Sequence, residues 1–204
     1  MPQKIGFLII VDEVSMDRIA EDLELSKTTL YLYFKNKPSL YFAVVIRGVI
    51  ILRDVFKEAV KNEKTGLEKI KSIIFAFYDY VQTFPEYYRL NLSVRVPRFM
   101  KMLQSIEKGD PEIENGVEYG QLKKELLDII VDAINLGIKD GTLRKDLDPI
   151  QTVMFIGSTI EDMVYLSPVN QLLLELSGAT LENYLKHSID LLLQGIAGKS
   201  KEKE

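Results

Sequence analysis

The chain has 204 residues and 47% of them are hydrophobic, which is material for one large or two modest packed domains. It holds no cysteine and one histidine, His187, so disulfides, thiol nucleophiles and thiolate metal sites are excluded and acid–base catalysis has little to work with. A net charge of −4 argues against nucleic acid as a partner, yet from Ser26 through Arg53 there is no Asp or Glu, while Lys27, Lys35, Lys37, Arg47 and Arg53 are cationic.

Ahead of Ser15 stand 14 residues. Among them Ile5–Val11 is an apolar run with no polar face and reads as a short helix or as a strand. It is too brief for a signal-peptide core or a membrane span, as is Ala43–Leu52, which Arg47 and Gly48 interrupt. The protein is therefore expected in the cytoplasm, with no membrane partner. Ser15 is an N-cap candidate for a helix reaching Leu23, with acids placed where the helix dipole favours them. Ser26 caps a second short helix that sets Leu30 and Phe34 on one face. Only Glu24 and Leu25 lie between the two, which is the spacing of a helix-turn-helix. Lys35-Asn36-Lys37 breaks the chain, and Pro38 suits the first turn of a long helix running to about Lys61.

Turn chemistry at Lys61–Lys64, Phe84-Pro85, Gln104–Asn115, Asp140-Gly141 with Asp148-Pro149, and Ser167-Pro168 predicts further helices near 65–83, 86–103, 116–139, 149–166 and 180–196. In the third of these Leu122, Leu126, Ile130, Ile134 and Ile138 recur at helical spacing. Period-two alternation nowhere persists, so the expected fold class is all-α. No Gly-rich phosphate loop and no His–Glu metal spacing is found, so an enzyme is not expected, nor a cofactor or metal. His187, among Leu185, Ile189 and Leu192, reads as structural or surface.

The stretch Ile19–Leu40 resembles the DNA-binding signature of the TetR family, and Gly141–Pro149 is also similar to a pattern of that family. The physics of the first stretch stands by itself. Ala20 is small enough for two helices to cross, and Ile19, Leu25, Leu30 and Phe34 can form a mini-core. Ser26, Lys27, Thr28 and Thr29 leave polar side chains at the head of the second helix, where helix-turn-helix proteins face base edges in the major groove. The resemblance implies that Lys27, Thr28 and Thr29, with Ser26 at the helix head, meet the groove, and that Tyr31, Tyr33 and Lys37 clamp phosphates. Leu32 stands where a polar residue is common, so one contact is missing. Glu24 replaces the usual glycine and implies a left-handed backbone at a small energetic cost. The family carries a full first helix and often a basic arm upstream; here that part is shortened, through truncation, a misplaced start or lost DNA binding.

The implied layout is an N-terminal helix-turn-helix domain over 1–45 and a larger C-terminal helical domain over 46–204 for effector binding and dimerisation. Phe75, Tyr78, Phe84, Tyr87, Tyr88, Phe99, Met102 and Met154 read either as plain core or as the lining of an adaptable apolar pocket. The last two expected helices are apolar on more than one face. Ile156, Ile160, Met163, Leu185, Ile189 and Leu192 are assigned to a two-fold four-helix bundle with a second copy. The function implied is a repressor released from double-stranded operator DNA by a small hydrophobic or aromatic effector. The alternative is a homodimer of the same descent that binds ligands or partners and has lost DNA binding.

Overall fold

A computed structural model describes residues 14–93 and 115–198. Ile5–Val11, Phe99, Met102 and the second half of the helix expected near 86–103 lie outside these residues. Within them the chain is helical: α1 Met16–Asp22, α2 Lys27–Tyr33, α3 Lys37–Val60, α4 Gly66–Thr83, α5 Pro85–Ser93, α6 Gly116–Asp140, α7 Pro149–Val164, α8 Pro168–Ser177 and α9 Leu181–Ile196. An isolated antiparallel bridge pairs Leu143 with Ala197.

The helix starts follow from side-chain oxygens that satisfy otherwise orphaned backbone N–H groups. Ser15, Ser26, Asp148, Ser167 and Thr180 each accept from the N–H three residues on. Asn36 Oδ1 accepts from both the N–H and the hydroxyl of Ser39 at 2.9 Å. Thr65 and Glu68 form a reciprocal capping box at the head of α4. Helix α8 was not anticipated. Ser167-Pro168 reads as a turn, but here serine is the N-cap and proline the first helical residue, and Gly178 closes the helix in the left-handed region at φ 70°.

The described residues fall into two compact units, 14–52 with 84–93 and 115–124, and 53–83 with 125–198. The expected division at 45/46 falls inside α3, which is continuous across the 52/53 division. In the first unit Phe42, Val45 and Val49 of α3 are buried with Tyr88, Tyr119 and Leu122. The Phe42 and Tyr119 rings lie 5.6 Å apart, and Tyr41 donates its hydroxyl to Leu90 O at 2.7 Å.

The second unit buries Ile70, Ile73 and Ile74 of α4, Leu126, Ala133 and Ile134 of α6, and one stripe each of α7 and α9. Its tightest point joins the start of α4 to the end of α6. A β-carbon on Gly66 would sit 2.1 Å from the Gly137 nitrogen, so the two backbones touch. Asp140 accepts the Gly66 N–H at 2.9 Å, the Thr142 N–H at 2.8 Å and the Thr142 hydroxyl at 2.6 Å. The Leu67 N–H donates to Thr142 Oγ1 at 3.2 Å. Just beyond, Leu143 is fully buried, Arg144 N–H donates to Ile196 O, and Gly198 N–H donates to Thr142 O.

Candidate nucleic-acid interface

Helix α1 ends by a Schellman closure: the Glu24 N–H returns to Glu21 O at 3.0 Å and the Leu25 N–H to Ala20 O at 2.8 Å. This closure needs a left-handed residue at its bend, and Glu24 occupies it with φ 54°, as expected from its place in the turn. Ala20, at the crossing of α1 and α2, is buried together with Met16 and Leu30, and Ile19, Phe34 and Leu40 pack around them. Met16 thus fills the place expected for Leu25. The Schellman bend turns Leu25 outward, and it is exposed.

The face left by this mini-core carries the residues expected to meet DNA. Ser26 Oγ accepts the Thr29 N–H at 3.0 Å and shares a 2.7 Å hydrogen bond with the Thr29 hydroxyl, so both side chains are engaged in capping α2. The Lys27 ammonium reaches back to Asp17 Oδ2 at 2.5 Å, tying α2 to the head of α1. The side chains of Thr28, Tyr31 and Tyr33 are exposed and make no hydrogen bond to another described residue. Lys37 opens α3 and is half-buried. Position 28 therefore presents a polar group to an incoming ligand directly, whereas 26, 27 and 29 present groups that already hold the motif together.

The residues expected to line a pocket do not gather into one described cavity. Phe84 and Tyr87 are half-buried with rings 6.3 Å apart, and Tyr88 is buried beside them in sequence, all in the first unit. Tyr78 is half-buried in the second unit. Phe75 and Met154 are exposed, because the stripes Ile70–Ile73–Ile74 and Thr152–Ile156–Ile160 take the inward positions of their helices. A cleft of about 300 Å³ lies elsewhere in the second unit, lined by Leu166, Asn170, Leu173, Leu174, Ser177 and Tyr184. It depends on α8 and so escaped a sequence reading that held a turn there.

The six residues assigned to a dimer interface are buried within one protomer. Ile156, Ile160 and Met163 pack in the core with Leu185, Ile189 and Leu192, the last being 4% exposed. The apolar side chains left open on these helices are Ile150, Met154 and Phe155 of α7 and Leu181 and Leu191 of α9, with Met154 at 68% exposure. Helix α8 buries no residue and exposes Val169, Leu172, Leu173 and Leu176. No described helix is long and apolar enough to cross a membrane.

Comparison with known proteins agrees with this arrangement. The profile of bacterial regulatory proteins of the tetR family matches residues 11–44. The HTH-type transcriptional activator FasR of Mycolicibacterium smegmatis is 32% identical over 75 residues, covering 37% of this chain and 34% of that protein, so the chain aligns with about a third of that relative's length. A bacterial regulatory protein in the tetR family from Rhodococcus RHA1 superposes with a TM-score of 0.70 at 15% identity, over 97% of this chain and 94% of that one. The transcriptional regulator FadR from Bacillus subtilis, solved in complex with stearoyl-CoA, superposes with a TM-score of 0.62 at 19% identity, over 91% and 90%. The α1–turn–α2 segment thus matches the module of the tetR family of bacterial regulatory proteins, and nearly the whole described length shares the fold of these solved regulators.

Proposed function

We propose that the protein is a homodimeric transcription regulator that inserts α2 into the major groove of operator DNA and is released as a repressor by a small hydrophobic or aromatic effector. The observation that carries this reading is the α1–turn–α2 unit, with a closed mini-core behind α2 and Thr28 exposed in front of it. Thr28 contacts a base edge, Tyr31, Tyr33 and Lys37 hold phosphates and set register, and Lys27 trades Asp17 for DNA on binding. The cationic stretch from Ser26 to Arg53 supplies the phosphate-facing charge that the whole chain lacks.

Dimerisation uses the outward side chains of α7 and α9, Ile150, Met154, Phe155, Leu181 and Leu191, in place of the buried stripe. Helix α3 transmits the state of the effector site to the reading module. An effector acts only through its different affinity for the DNA-competent and incompetent forms, typically a coupling of about 1–3 kcal/mol, and DNA weakens effector binding by the same factor.

The test is fluorescence anisotropy of the protein with duplexes flanking its own gene, with and without a panel of aromatic compounds and long-chain acyl thioesters, the latter suggested by the FadR complex. Salt-dependent binding that one ligand class abolishes supports the proposal, with run-off transcription rising on release. Transcription that falls on release makes the protein an activator, as FasR is named. Failure to hold any duplex rejects the DNA reading and leaves the ligand- or partner-binding dimer.

A further inference from the structure

The reading helix exposes a leucine that no packing among the described residues explains. Leu32 is 79% exposed, more than any other large hydrophobic side chain among the described residues. Its place on α2 is set by Leu30, which anchors the mini-core. At 3.6 residues per turn, positions two before and two after Leu30 each lie about 160° around the axis from it, and so about 40° from each other. Those positions are Thr28 and Leu32. They are the side chains that point most directly away from the core, one turn apart.

A leucine there has no donor or acceptor with which to read a base. In the major groove the base edges present nitrogen and oxygen acceptors, amino donors and one apolar group, the C5 methyl of thymine. The surroundings favour a nucleic-acid occupant over a protein one, since no Asp or Glu occurs from Ser26 to Arg53 and Lys27 and Lys35 flank the position. We propose that Leu32 reads a thymine in each operator half-site through its C5 methyl group, next to the base that Thr28 contacts. The inference rests on the DNA reading above, and it turns an apparent missing contact into a sequence preference.

The experiment starts from the duplex that the wild-type protein enriches out of a random library. Each thymine is then replaced in turn by deoxyuracil, which removes the methyl and nothing else, and affinity is measured for the wild type and for Leu32→Ala. Because Leu32 is 79% exposed and lies outside the mini-core, the variant is expected to keep the wild-type circular dichroism spectrum and melting temperature. At one thymine per half-site, uracil should weaken the wild type about fourfold, the equivalent of one lost apolar carbon contact. Leu32→Ala should bind the thymine duplex more weakly and be indifferent to uracil at that position. Indifference of the wild type at every thymine, or equal losses for wild type and variant at the responsive one, overturns the assignment of Leu32 and leaves the DNA reading intact. Enrichment of no duplex at all overturns both.

Discussion

Glu24 offers a direct measure of strain in the reading module. It sits at φ 54°, at the bend of the Schellman closure, where its β-carbon crowds the following carbonyl. For an L-residue that conformation costs about 1–2 kcal/mol, and glycine adopts it without the clash. Glycine also widens the unfolded ensemble, which returns about 0.4–1 kcal/mol of the gain. Glu24→Gly is therefore expected to stabilise the protein by about 1 kcal/mol, a rise of roughly 2–4 °C in melting temperature for a chain of this size. The control is Glu24→Ala, which removes the same charge and keeps the β-carbon. Both variants should bind DNA more tightly by losing a negative charge, and only the glycine should melt higher. Thermal and urea unfolding of the two, followed by circular dichroism, gives the difference. If glycine is no more stable than alanine, the closure stores no strain at this residue and the reasoning fails.

At Asp140 burial pushes the acid upward, but the bonds from Thr142 and from the Gly66 N–H outweigh it and hold it below the ordinary 3.8. A depressed folded-state value stabilises at neutral pH and is lost as pH falls through it, so Asp140→Asn should lower the denaturation midpoint at pH 7, and the midpoints of variant and wild type should converge as pH falls below the ordinary carboxylate value. Gly66→Ala drives a β-carbon into the Gly137 backbone and should cost about 3 kcal/mol or abolish soluble expression, whereas Gly157→Ala, with open space around it, should lower stability little if at all. Ile160→Glu buries a charge and should unfold the chain, while Met154→Glu should leave a folded monomer by light scattering; a dimeric Met154→Glu removes α7 from the interface. Lys37→Ala should weaken all duplexes alike and reduce the salt slope by about one, and Thr28→Ala should change which sequence is preferred; equal losses from both on every duplex overturn their roles.

The helices were legible where a polar cap preceded a periodic apolar run, as at Ser15, Ser26 and Asp148. Ser167-Pro168 carries the same two signals, but the four leucines after it lack a core-facing rhythm, and the helix they form buries nothing. Faces were harder to read than helices. The repeat Ile156–Ile160–Met163 marks an apolar stripe, yet spacing does not say whether the stripe meets its own chain or another copy, and burial shows the former. Within the reading module the left-handed bend followed from the motif. The Lys27–Asp17 pair did not, since the two residues are ten apart in sequence and meet only because the turn folds α2 back across the head of α1. For the same reason Met16 rather than Leu25 completes the mini-core: the direction of the bend decides which side chain faces in.

The bond from Arg144 to Gly195 O, together with the Leu143–Ala197 bridge, bears on how the chain is made as well as how it stands. Met16, Ala20 and Leu30 come from one short stretch and can close as soon as it leaves the ribosome. The turn at 142–144 must wait for partners 51 residues further on. At about 5–20 residues per second that wait is roughly 3–10 s. Over those seconds Leu143, Ile156 and Ile160 have emerged, while Leu185, Ile189 and Leu192, which share their core, are still being synthesised. In that interval the stripe Leu143, Ile156 and Ile160 lacks the α9 side chains that share its core in the folded protein. Chaperone capture or association between neighbouring nascent chains on one message is therefore expected there.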